Sequence, residues 1–195
     1  MKIFKISEDT VRQLSNFFRK NRGSVLIEFA VVLPLIIVLC AGVFELMMFA
    51  LLNNKLTRTV GVLGDAITRD DIKRSEITSL LNTARTFLKP FEFNSAGSIV
   101  VSQVRNDGLT TDPSKMVISW QVNINGAASR LGTVGARPAN MPNSLTILND
   151  QAVVITEVFY NYQPIVFKGF YSNKRLYHVS TFVPRVGSMT SLKAE

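Results

Sequence analysis

GSVLIEFAVVLPLIIVLCAGVFELMMFALL, Gly23–Leu52, is the stretch on which the fold turns. From Val25 to Leu52 its apolar run is broken only by Glu28, Pro34, Gly42 and Glu45. A helix rises about 1.5 Å per residue, and a bilayer core takes roughly 20 apolar residues. The segment is therefore long enough to span a membrane. Lys2, Lys5, Arg12, Arg19, Lys20 and Arg22 precede it, against Glu8 and Asp9. Basic flanks stay in the cytoplasm, so the larger C-terminal part is expected outside it.

The totals fit that division. The 195 residues suffice for one modest domain and an anchor. The net charge is +8, but residues 1–23 hold 6 of the 22 basic and 2 of the 14 acidic side chains, leaving +4 beyond them. The remaining basic residues are scattered and carry no RNA-binding signature or zinc-finger spacing, so no nucleic-acid partner is expected. Cys40 is the single cysteine and lies in the apolar run, which excludes an intramolecular disulfide. With His178 the only histidine, a metal site built from His and Cys is not expected. One imidazole would suffice for a Ser/His/Asp set, yet there is no nucleophile-elbow pattern and no Gly-rich phosphate loop. We expect no cofactor, no metal, no catalytic residue and no enzyme.

Glu28 separates the kinds of N-terminal signal. A secretory signal has an apolar core of about 7–15 residues before a small-x-small cleavage site; this core is longer, as is its polar preamble. A lipoprotein signal wants a small residue before its cysteine, and Leu39 stands there. An uncleaved signal anchor fits the length but not the acid. A charge inside the membrane costs about 2.5–3.5 kcal/mol on insertion scales. Glu28 either snorkels to the headgroups near a helix start, where the dipole favours acids, or meets a positive group. The α-amine released by a cut after Gly23 is such a group.

Arg22-Gly23-Ser24-Val25-Leu26-Ile27-Glu28-Phe29 resembles the processing motif of type IV prepilins. Followed by Ala30-Val31-Val32-Leu33-Pro34, it is similar to the TadE-like (TadE/TadF) minor pseudopilins of tight-adherence (Flp) pilus systems. Phe44-Glu45-Leu46 resembles a second acidic position of that family. Near the far end, Val158-Phe159-Tyr160-Asn161-Tyr162-Gln163-Pro164 and Val183-Pro184-Arg185 resemble its closing strand and its R-P-R. Asn161 stands where proline is common, and no arginine precedes Pro184.

The resemblance implies cleavage between Gly23 and Ser24 by prepilin peptidase, with this chain as substrate. Gly23 would leave the scissile carbonyl unobstructed, and Ser24 would become the new N-terminus. Glu28 would pair with a free amine on its own or a neighbouring pilin. The implied partners are the peptidase, other pilins, assembly-platform proteins and inner-membrane lipid; the implied location is a single pass of the inner membrane, with possible entry into a surface pilus. Pro34 removes a helical hydrogen bond and predicts a kink near the cytoplasmic third of the span. Glu45 has two readings: reaching headgroups at the outer boundary, or pairing with a basic residue of a partner subunit.

Beyond the span, Leu56, Val60, Leu63 and Ile67 keep one helical face, extending the helix to about Arg69 against the weakening effect of Gly61 and Gly64. Ile77, Leu80, Leu81, Ala84, Phe87 and Leu88 predict a second helix, capped by Asp70, Asp71 or Ser75 and ended by Pro90. The period then falls to two. Ile99–Val104 leads to a turn at Asn106-Asp107-Gly108. Met116, Ile118, Trp120, Val122 and Ile124 line one half-buried strand, and Ala152–Tyr162 and Tyr177–Val183 supply two more. Residues 126–144, with Arg130 and Arg137, form a long loop and the candidate contact surface. Phe167-Lys168-Gly169-Phe170-Tyr171 is an aromatic connection expected to cover a sheet edge or bind a partner.

The expected architecture is α+β: a long N-terminal hydrophobic helix, then a helix packed on an antiparallel sheet of about four strands. The expected boundaries are a removable leader at 1–23, the span at 24–52, its helical extension at 53–69, and an extracytoplasmic domain at 70–195. A membrane-anchored periplasmic binding or sensor module is the alternative, and an anchored hydrolase a third.

Overall fold

A computed structural model describes residues 8–106, 115–142, 145–148, 151–169, 172–185 and 192, with side chains from residue 23 onward. Asp107 and Gly108 of the expected turn, and Phe170 and Tyr171 of the aromatic connection, lie outside the described residues. The architecture is α+β, as the sequence predicts. Helix α1 (Glu8–Ile67) and helix α2 (Arg74–Phe87) precede strands β1 (Gly97–Asn106), β2 (Met116–Ile124), β3 (Ala152–Tyr162) and β4 (Lys174–Phe182). Contacts divide the chain into two compact units, with the boundary between Met47 and Met48.

Helix α1 runs from Glu8 through the whole apolar stretch to Ile67. Nothing between Glu8 and Arg22 breaks a helix, and acids at its first positions suit the helix dipole. The α1 residues from Met48 on belong to the second unit. There Leu56, Val60, Leu63 and Ile67 are all buried, which confirms the apolar stripe. Gly64 is tolerated because β4 crosses it: a Cβ at this position would lie 2.6 Å from Phe182 Cδ2. Helix propensity yields to close packing here.

Helix α2 buries Ile77, Leu81, Ala84 and, just past its end, Leu88, while Phe87 is 44% exposed. Its start departs from expectation. The N-cap is Lys73, whose backbone N–H donates to the Glu76 carboxylate at 3.0 Å. Asp70 instead accepts from the Asp71 amide. The carboxylate three positions inside the helix thus satisfies the amide of the N-cap residue itself, the reach-back half of a capping box.

The sheet is antiparallel throughout, in the order β2-β1-β3-β4. One face packs on α1 and α2 through Ile99, Val101, Trp120, Val122, Val154, Val158 and Tyr160. The other face carries Val104, Met116, Ile118, Val153 and Ile155, covered by Leu131 and Ile147 from the 125–151 connection. Here the structure corrects the single-face reading of β2. Gln103 pairs with Trp120, but Val104 pairs with Ile118, leaving Ser119 extra. One inserted residue reverses which face the following side chains reach. Met116 and Ile118 therefore enter the opposite core from Trp120, Val122 and Ile124.

Candidate functional site on the exposed helix

In the first unit, the helix from Gly23 onward turns apolar side chains outward on every side. Val25, Leu26, Ile27, Phe29, Val31, Leu35 and Leu46 are all more than half exposed. A helix that is apolar all round belongs in lipid or in a protein core. This one is long and apolar enough to cross a membrane.

The expected site residues all fall on this helix. Gly23 has no atom within 4 Å of where a Cβ would sit. Ser24 Oγ donates to Glu28 Oε1 at 3.4 Å, the i,i+4 relation that puts both on one helical face. An amine created at Ser24 would start on the same stripe as the Glu28 carboxylate. Pro34 lies within the helix, and Glu45 is half-buried. Gly23, Ser24 and Glu28 are thus close together, while Glu45 lies 17 positions, or about 25 Å of helix, further along.

The C-terminal motif residues are brought to the folded part of α1. Tyr162 meets Phe49 edge-on at 5.2 Å between ring centroids. The Tyr160 hydroxyl donates to the Glu92 carbonyl at 3.1 Å. The Arg185 backbone amide donates to the Thr68 carbonyl at 2.9 Å, and its guanidinium pairs with Asp65. Asp65 also holds Arg69 at 2.6 Å. This arrangement clasps the last strand's exit to the end of α1.

His178 sits where β4 meets α1, its Nδ1 3.1 Å from Thr57 Oγ1 and its Nε2 3.3 Å from Asn53 Oδ1. Partial burial holds its pKa below the usual imidazole value. Its partners are a hydroxyl and an amide of α1, the geometry of a packing contact.

A second cluster lies on the sheet, around Glu157. Glu157 on β3 is fully buried. Its carboxylate accepts from the Ser129 hydroxyl, the Arg130 amide at 3.1 Å and the Tyr177 hydroxyl at 3.0 Å. The Arg130 guanidinium lies 3.9 Å above the Tyr177 ring. Burial first, then the facing Glu157 carboxylate, pushes the Tyr177 phenol well above its usual range. Arg130, Asn140, Pro142, Tyr177 and Val179 line an open cleft of about 630 Å³. The loop chosen as a contact surface is thereby pinned to the sheet. The available signal was an acid in the apolar run AVVITEVFY, which no alternation explains.

Residues 23–61 match the family model described as TadE-like protein. No curated protein and no solved structure matches the chain. The matched segment opens at Gly23, takes in Glu28, Pro34 and Glu45, and runs on into the buried stripe of the second unit, so over residues 23–61 the chain is similar to TadE-like proteins.

Proposed function

We propose that the chain is a minor pilin or pseudopilin of a tight-adherence (Flp) pilus, contributing to pilus assembly or initiation and through it to adhesion and biofilm formation. The observation that carries this reading is a TadE-like segment that starts at Gly23 and holds an exposed Glu28 at the fifth position after it. Prepilin peptidase cuts between Gly23 and Ser24, so the chain is a substrate and does no catalysis itself. The new Ser24 amine neutralises Glu28 in cis, or in trans on a neighbouring pilin, where it sets axial register. In lipid an uncompensated carboxylate is costly, so the paired arrangement is favoured once the subunit packs. Glu45 takes a basic group of a second subunit or of the assembly platform, and Pro34 bends the span.

Intact mass of the chain from its native membrane tests this. The expected species begins at Ser24 in cells with active peptidase and keeps residues 1–23 when Gly23 is replaced by a bulky residue. A retained leader in the unaltered chain would exclude the proposal. It would favour the second reading, an inner-membrane-anchored periplasmic binding module, which draws support from the cleft beneath Arg130 and Tyr177.

A further inference from the structure

Within the second unit, β3 and β4 run alongside α1. Phe182, at one end of β4, approaches Gly64, while Tyr162, at the opposite end of β3, touches Phe49. From Val154 to Tyr162, β3 therefore runs back along α1 towards Phe49–Leu52, where the apolar run ends. The β3–β4 connection, described at residues 163–169, 172 and 173, leaves the sheet at that end.

The chemistry of the hairpin is unusual for a connection facing water. Ile165 and Val166 are 43% and 46% exposed, with Phe167 half-buried beside them. Lys168, Lys174 and Arg175 flank this apolar tip and are exposed. Lys174 Nζ lies over the Phe49 ring, 5.6 Å from its centroid, a cation–π approach that brings a positive charge to the point where the apolar run ends. The α2–β1 connection comes to the same end: Lys55 Nζ donates to the Phe87 carbonyl at 3.2 Å, and Phe87 itself is exposed. Lys89 adds a further exposed cation and Glu92 the opposing acid. Aromatic and aliphatic residues ringed by cations are what a membrane–water interface selects.

We propose that the β3–β4 hairpin is a second membrane contact, with Ile165, Val166 and Phe167 seated in the outer headgroup layer and Lys168, Lys174 and Arg175 on anionic lipid phosphates. Within the second unit the contact lies beside Phe49, next to the point where the apolar run ends. The positive-inside bias counts residues close to the span in sequence; Lys168, Lys174 and Arg175 follow it by more than a hundred residues and do not oppose the orientation. The proposal rests on α1 being embedded in a membrane and is independent of cleavage after Gly23.

The test uses the full chain in phosphatidylcholine–phosphatidylglycerol vesicles with brominated acyl chains. Trp120 is the single, buried tryptophan and sets the baseline. A Val166→Trp chain should lose at least half of its added emission, whereas Val134→Trp should lose none. Leu39→Trp reports on the span itself. Quenching at 39 without quenching at 166 overturns the hairpin contact and leaves the span standing; no quenching at either position overturns both. Should Val166→Trp fail to fold, an environment-sensitive dye on Lys168→Cys in a Cys40→Ser chain reads the same contact. Emission blue-shifted relative to the dye at Val134→Cys supports it, and identical emission overturns it.

Discussion

Glu157 shows how much one residue can organise. A buried carboxylate persists only when its lone pairs are filled, and here a strand, a loop and a neighbouring strand each supply a donor. Replacing it with alanine strands the Ser129 and Tyr177 hydroxyls and the Arg130 amide together. Hydrogen bonds to charged groups contribute about 1.5–3 kcal/mol each, and the donors left behind in Glu157→Ala partly regain water. A net loss of about 2–4 kcal/mol is expected, read as a lowered denaturation midpoint of the detergent-solubilised chain. Glu157→Gln should lose less, because its carbonyl oxygen still accepts. Equal stability of Glu157→Ala and the unaltered chain would contradict this role. His178 makes a prediction about pH. Its folded pKa lies below the unfolded value of about 6.5, so the unfolded state binds more protons as pH falls past that value. Stability is then full above about pH 6.5 and declines below it, towards the folded pKa. His178→Gln should flatten the fall in melting temperature between pH 7 and pH 5.5.

At the scale of elements, two glycines in α1 make opposite predictions. Gly64 lies against Phe182 and Ser180, and an added Cβ would approach them to 2.6 and 3.1 Å. Gly64→Ala gains about 1 kcal/mol in helix propensity but overpacks the β4 crossing, which typically costs 1–3 kcal/mol (roughly); a lower melting temperature is expected. Gly61 has nothing within 4 Å, so Gly61→Ala should raise it, by up to about 1 kcal/mol of stability. Thermal unfolding of the two variants side by side decides the matter, and identical shifts would sink the packing argument. The same helix shows what was legible beforehand. Leu56, Val60, Leu63 and Ile67 announce their burial through spacing alone, and so does α2, because helical periodicity is a local signal. The division of β2 between two cores was illegible: apolar alternation continues unchanged through Ser119, and only pairing with β1 exposes the insertion. The α2 cap was misread for a related reason, since several polar residues compete for that position and geometry selects among them. Glu157 stands out as an acid in an apolar run, but its partners are not legible, because its donors come from 28 residues upstream and 20 downstream.

For the molecule as a whole, the two units pose different solvent demands. The folded unit hides its apolar residues between sheet, helices and loop, whereas Val25–Met47 exposes them on every side. Burying an apolar residue is worth roughly 1.5–3 kcal/mol, so a helix with that many outward side chains has a strong preference for lipid. Charge then bears on direction, which is a matter for experiment. The six basic residues ahead of Gly23 favour the cytoplasm, which would place everything beyond Leu52 on the opposite side. This can be measured with single cysteines, because Cys40 is the only native thiol. In a Cys40→Ser chain, Val134→Cys should react with a membrane-impermeant maleimide in intact spheroplasts, since Val134 is 53% exposed on the folded unit. Ser15→Cys should react only after lysis, when measured in cells lacking prepilin peptidase so that the leader is retained. The native Cys40 should stay unreactive in both, because an impermeant reagent does not reach the hydrocarbon core. Labelling at 15 with protection at 134 would reverse the orientation and with it the side on which the hairpin meets the bilayer.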